Sequence, residues 1–194
     1  MSTETSAGMR LLFFIVKKLT VLVLLIMVIM IAFFIAYDMA NVYVFLDDGM
    51  TQRANVILNN EDPTLLNRFF TLKYLNSDPM LNSNPFRDYL IQDYDYELKV
   101  TKLWVWPWQS STVVEVIEYI KEDSWKFSIT DDFRSRLIAA QMPEDLEEGE
   151  EFQLRIPKPQ WQNGRKEIHF RKIDGQWKID GIVFIESLKP EDMK

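Results

Sequence analysis

The chain has no cysteine, a single histidine and only six glycines in 194 residues. Without cysteine there is no disulfide, no thiolate metal ligand, no Cys nucleophile and no lipidated Cys. With His169 as the lone imidazole and no thiolate, a zinc site has no support. A Ser–His–Asp hydrolase would need that same His beside a placed serine, and no G-x-S-x-G is present. Neither G-x-G-x-x-G nor G-x-x-x-x-G-K-[ST] occurs, so nucleotide binding has no support. No catalytic residue, cofactor or metal is expected. Positive charge is also scarce: residues 38–194 carry 19 basic and 28 acidic side chains, a net of −9. That balance excludes nucleic acid as a partner and disfavours anionic headgroups away from local basic patches.

What the sequence does hold is Leu19–Tyr37, nineteen residues without a charge. As a helix this run spans about 28 Å, close to the hydrocarbon thickness of a bilayer. It exceeds the 7–15 apolar residues of a signal peptide. Cutting after Ala36 would leave Phe34 at the −3 position, and cutting after Ala40 would leave Asp38 there. An uncleaved signal anchor is the expectation. Arg10, Lys17 and Lys18 precede the run, whereas only Arg53 occurs among the sixteen residues after it. The positive-inside rule then places residues 1–18 in the cytoplasm and 38–194 outside. Lys17 and Lys18 leave the start of the span open between Leu11 and Leu19, since both could snorkel.

Residues 38–60 are expected to form a helical stalk or first helix. Met39, Tyr43, Leu46 and Met50 share one stripe of it, either as a short dimer seam or as a face packing on its own domain. Residues 61–194 form the outer domain. Asp62–Tyr74 is expected as a helix with Asp62 as N-cap and Pro63 at N1. Phe86–Ile91 reads as a short helix after a turn-rich segment. From Asp93 to Trp108 the period becomes two, with Tyr94, Tyr96, Trp104, Trp106 and Trp108 on one aromatic face of a long strand. Thr112–Lys121 is a second strand, and Trp125, Phe127 and Ile129 mark a third. Asp131–Gln141 is a helix capped by Thr130, with acids in its first turn that suit the helix dipole. Glu144–Glu151 is a solvated acidic loop, and Phe152, Leu154 and Ile156 mark a short strand.

The C-terminal stretch KEIHFRKI-DG-QWKIDGIVFIE is a hairpin with Asp174-Gly175 as a type I′ turn. Its expected register pairs Lys172 with Trp177, Phe170 with Ile179 and Ile168 with Gly181. The polar face then pairs His169 with Asp180 and Arg171 with Lys178, while Val183 and Ile185 continue the apolar face.

Asp174, Gly175, Trp177, Lys178 and Ile179 match the D-G-x-W-K-I wording of closing strands in the nuclear-transport-factor-two-like superfamily. NNEDPTLLNRFFTLKYL resembles the helical opening of such domains. The resemblance covers roughly Asp47 to Ile185. It implies an α+β, cone-like domain in which helices pack on a curved antiparallel sheet. A single membrane helix before such a domain is also the layout of periplasmic components of type IV secretion and conjugation channels. The implied protein is a single-pass scaffold or assembly part of a bacterial envelope complex, held in the inner membrane and non-catalytic. Its partners would be the bilayer, other envelope proteins and a second copy of itself. The alternative is a membrane-tethered binding domain or enzyme using an aromatic-lined pocket. Tyr94, Tyr96, Trp104, Trp106 and Trp108 are the candidates for ligand or partner contact, and the tryptophans alternatively suit a membrane interface.

Overall fold

A computed structural model describes residues 4–142 and 153–188. The acidic stretch Glu144–Glu151 lies outside the described residues, as does Phe152. One helix, α1, runs without a break from Glu4 to Asn59 over 56 residues. From Leu12 to Phe34 it is exposed on every side and has the length and composition to cross a membrane. From Leu19 onward that exposed surface is apolar all round, which fits a membrane span and not a core helix.

Ile35 is half-buried and Asp38 is the first buried residue, and from there α1 changes role. Val42, Leu46, Met50, Ala54, Val56, Ile57 and Leu58 are all buried, while Tyr43, Val44, Asp47 and Asp48 stay exposed. The 38–60 segment is therefore not a stalk standing off the domain but the domain's own central helix. Leu46 and Met50 are fully buried in that core and are not available as a dimer seam, whereas Met39 is half-buried and Tyr43 exposed. The reason is the width of the apolar face. Val42, Ala54, Ile57 and Leu58 broaden the stripe beyond a two-position seam, and a sheet covers it.

After α1, a 3-10 turn (Pro63–Arg68) is capped by Asp62, whose side chain accepts from the Thr64 N–H at 2.9 Å. The expected single helix over 62–74 is broken at Phe69–Thr71. There Phe70 forms a parallel bridge to Ile179, and the Phe69 and Thr71 backbones bond to Ile179. Short helices α2 (Leu72–Ser77) and α3 (Pro79–Ser83) follow, capped by Thr71 and Asp78.

The strands are β1 (Tyr89–Asp93), β2 (Tyr96–Lys102), β3 (Ser111–Ile120), β4 (Lys126–Ile129), β5 (Gly164–Ile173) and β6 (Gln176–Glu186). Helix α4 (Asp131–Gln141) lies between β4 and β5, capped by Thr130. All strand pairs are antiparallel, in the order β2-β3-β5-β6 with β1-β4 as a separate pair. The β2–β3 hairpin continues past Tyr94-Asp95 on one side and Lys121–Trp125 on the other into the β1–β4 pair. Phe86–Ile91 therefore enters a strand and is not a helix: Tyr89, Leu90 and Ile91 pair with Ile129, Ser128 and Phe127. Residues 153–163 hold no regular element, so Leu154 and Ile156 do not mark a strand.

Two of the register shifts in the strand pairs reset the alternation on the faces read from the sequence. Thr101 is extra in β2: Val100 faces Val116 but Lys102 faces Glu115. Tyr96, Leu98 and Val100 pack on the core, yet beyond the bulge Leu103 and Val105 turn inward. Asp180 is extra in β6. Lys172↔Trp177, Arg171↔Lys178 and Phe170↔Ile179 pair as expected, but Gly181 then faces His169 and Ile182 faces Ile168. The slip turns Ile182 toward the core and leaves Val183 and Ile185 exposed. Asp180 leaves the ladder because it is held elsewhere, by the Thr71 hydroxyl at 2.9 Å and Arg171 at 2.8 Å.

The core follows the covered part of α1, from Val42 to Leu58. Near the apolar span, Val42, Leu46 and Met50 meet Val114, Val116, Ile168, Phe170, Trp177 and Ile179. At the far end, Ala54, Ile57 and Leu58 meet Phe86, Ile120 and Trp161.

Candidate functional site

Two features stand out from this frame. The first is charge inside the core. Arg53, on the covered face of α1, donates Nε–H to Asp78 Oδ2 at 2.7 Å and Nη2–H to Oδ1 at 3.0 Å. Both side chains are almost fully buried. Asp78 also accepts the Met80 N–H at 2.9 Å, so one carboxylate caps α3 and fastens it to α1. Burial pushes the Asp78 carboxyl up, but the bonds and charge of Arg53 outweigh it and the net shift is downward. For Arg53, burial pulls the value down, but Asp78 and the nearby acidic groups outweigh it and the net shift is upward. The second pair is Lys166 with Glu118, equally buried. Tyr96 donates its hydroxyl to the other Glu118 oxygen at 2.9 Å, and burial with that charge raises the phenol well above its ordinary value.

These charges border a groove of about 650 Å3 between the sheet and α3, lined by Arg53, Tyr74, Asp78, Trp161, Lys166 and Phe184 among others. The ammonium of Lys166 lies 5.8 Å from the centre of the Trp161 ring. The Trp161 indole N–H is buried and finds no acceptor among the described residues. The sequence reading missed this cluster. A signal was present: Glu118 is in phase with Val114, Val116 and Ile120, and Lys166 with Ile168 and Phe170. Opposite charges on the apolar phase of neighbouring strands point to a buried pair.

The second feature is the aromatic set. It is split by the Thr101 bulge. Tyr94 stands at the far end, its ring 6.1 Å from Trp125 and its hydroxyl donating to Asn55. Tyr96 is the inward residue bonded to Glu118. Trp104, Trp106 and Trp108 lie at the other end of the sheet, 50%, 37% and 71% exposed. Trp104 meets Trp106 edge to face at 5.3 Å, and Trp106 stacks on Trp108 at 5.1 Å. The three form a ladder on the outer surface and do not line an interior pocket with the tyrosines. The turn that carries them is closed by Gln109, whose N–H donates to Trp106 O and whose Oε1 accepts from Trp106 N–H, each at 3.0 Å.

His169 faces Gly181 and has Glu167 at 3.7 Å, not the expected Asp180. Among the described residues, no group of three or more His, Asp or Glu side chains is placed to hold a metal ion. Compared with protein-family models, with curated proteins and with solved structures, the chain matches none.

Proposed function

We propose that the protein is a single-pass, inner-membrane scaffold that presents its α+β domain outside the cytoplasm as an assembly part of a bacterial envelope complex. The observation that carries this reading is the continuity of α1. One helix supplies both the exposed apolar run and the central element of the domain's core, with no linker between them. A rigid joint of this kind fixes the domain's height and orientation at the bilayer, which an assembly part needs and a freely tethered enzyme does not. The basic flank at Arg10, Lys17 and Lys18 supports a cytoplasmic N-terminus. The antiparallel strands packed on α1, with β1–β4 as a pair separate from the four-stranded sheet, support the cone-like reading and with it the likeness to secretion and conjugation components. In-membrane chemical cross-linking tests the proposal. Recovery of adducts with other envelope proteins or with a second copy is expected, and isolated monomer alone would sink it.

One observation favours a second reading, a membrane-tethered binding domain. Trp161, which borders the groove beside Arg53 and Lys166, has a buried indole N–H with no acceptor among the described residues. A small molecule bearing an acceptor would satisfy it. Ligand-induced protection of the chain against thermal unfolding, lost in Trp161→Phe, is the expected sign of that role.

A further inference from the structure

The Trp ladder sits at the end of the domain where α1 leaves its apolar run. Asp38, the first residue beyond Leu19–Tyr37, accepts a hydrogen bond from the Trp177 indole at 3.4 Å and lies 3.5 Å from the Lys172 ammonium. Lys172 and Trp177 face each other beside the β5–β6 turn. The Lys172 N–H donates to Ser110 O at 2.7 Å. A single string of contacts therefore joins the last turn of the span to the closing residues of the Trp104–Ser110 segment. Trp108, at the tip of that segment, is the most exposed of the six tryptophans. Ile173, the last residue of β5, is also exposed.

We propose that this rim docks on the outer headgroup layer of the bilayer that α1 spans, with Trp106 and Trp108 inserted at the interface; this rests on the membrane reading above. Three observations name lipid as the occupant. With Lys18 at the inner boundary, a hydrocarbon core of about 30 Å ends about 20 residues later, at Asp38. The structures joined to Asp38 then lie within the headgroup layer, a few ångströms thick on each side. Tryptophan is the residue best suited to that layer, with an apolar body and an N–H for headgroup or water oxygen. Charge agrees as well. The domain is strongly acidic, but at this rim Arg171, Lys172 and Lys178 balance Asp38, Asp174 and Asp180, two of these acids being paired internally. The rim is thus the neutral end of an acidic domain, and it faces no repulsion from headgroups.

The test uses the full chain in phosphatidylcholine vesicles whose acyl chains carry bromine near the headgroup. Tryptophan emission is expected to be quenched relative to unbrominated vesicles. The variant W104F/W106F/W108F should lose most of that quenching, while W125F, at the far end against Phe86, keeps it. Unchanged circular dichroism shows that the triple variant is folded, which the exposure of all three side chains makes the expected result. Aqueous iodide should quench the wild-type chain less in vesicles than in detergent. Equal bromine quenching in wild type and triple variant overturns the proposal. Vesicle flotation after an alkaline wash separates the two readings: a chain that floats yet shows no ladder-dependent quenching loses only the rim contact. A chain that does not float loses the span as well.

Discussion

Arg53 and Asp78 face each other with almost no exposed surface on either side chain. Transfer of both charges out of water is costly, so the pair adds little net stability, but removing one partner strands the other. Asp78→Ala is therefore expected to cost about 3–5 kcal/mol, read from urea unfolding of the full chain in detergent. The double change Arg53→Met with Asp78→Leu should cost clearly less than Asp78→Ala alone, which distinguishes a stranded charge from lost packing. A second residue-scale expectation concerns pH. Hydrogen bonds from Lys121 and Tyr119 hold the Glu97 carboxyl down at about 2, below its ordinary 4.5. Because the folded value is the lower one, its stabilisation is complete above pH 4.5 and is lost as pH falls toward 2. The unfolding midpoint should drop across that window, and Glu97→Gln should flatten the drop. A profile unchanged by the substitution would contradict the assignment. The sequence showed neither network directly. Asp78 sits in a turn-rich segment where a helix cap is the ordinary role, and nothing local reveals that Arg53 lies across from it.

Among the elements, α1 carries the clearest contrast. Leu46→Ala opens a cavity in the middle of the core and is expected to cost about 2–5 kcal/mol. Tyr43→Ala, one turn back on the exposed face, should stay within about 0.5 kcal/mol. Equal effects would mean that the stripe packs on something other than its own sheet. At Gly164, a Cβ would sit 2.3 Å from Glu186 O and 2.5 Å from the Phe184 ring. Gly164→Ala must push the end of β6 away, at about 1–3 kcal/mol, with faster amide exchange at Phe184–Glu186. Much at this scale was legible from residues alone. Asp174-Gly175 set its turn and the first pairs of the hairpin, Thr130 capped α4, and β3 fell within a residue of its expected range. The misreadings cluster where long-range contacts intervene. A bulge adds one residue and inverts every later side chain, and Thr101 and Asp180 carry no local mark of it. The same holds for Phe69–Thr71, where pairing with Ile179 wins over a helical pattern that is locally sound.

For the whole molecule, the apolar run and the domain are one mechanical piece. Composition made an apolar run of bilayer length legible, because bilayer thickness sets a length that few other structures need. What the sequence left open was how the domain meets the span. A four-residue stripe is compatible with a stalk, a seam or a core helix, and only the sheet wrapped on α1 decides among them. The central claim is that α1 crosses the membrane once and holds the domain against its outer face. Its most direct test exploits the absence of cysteine, since any introduced Cys is the sole thiol. Asn76→Cys, on an exposed site of the domain, should react in intact cells with a maleimide that cannot cross membranes. Ser2→Cys, before the span, should react only after permeabilisation. Labelling of Ser2→Cys in intact cells, or protection of Asn76→Cys, would contradict the account.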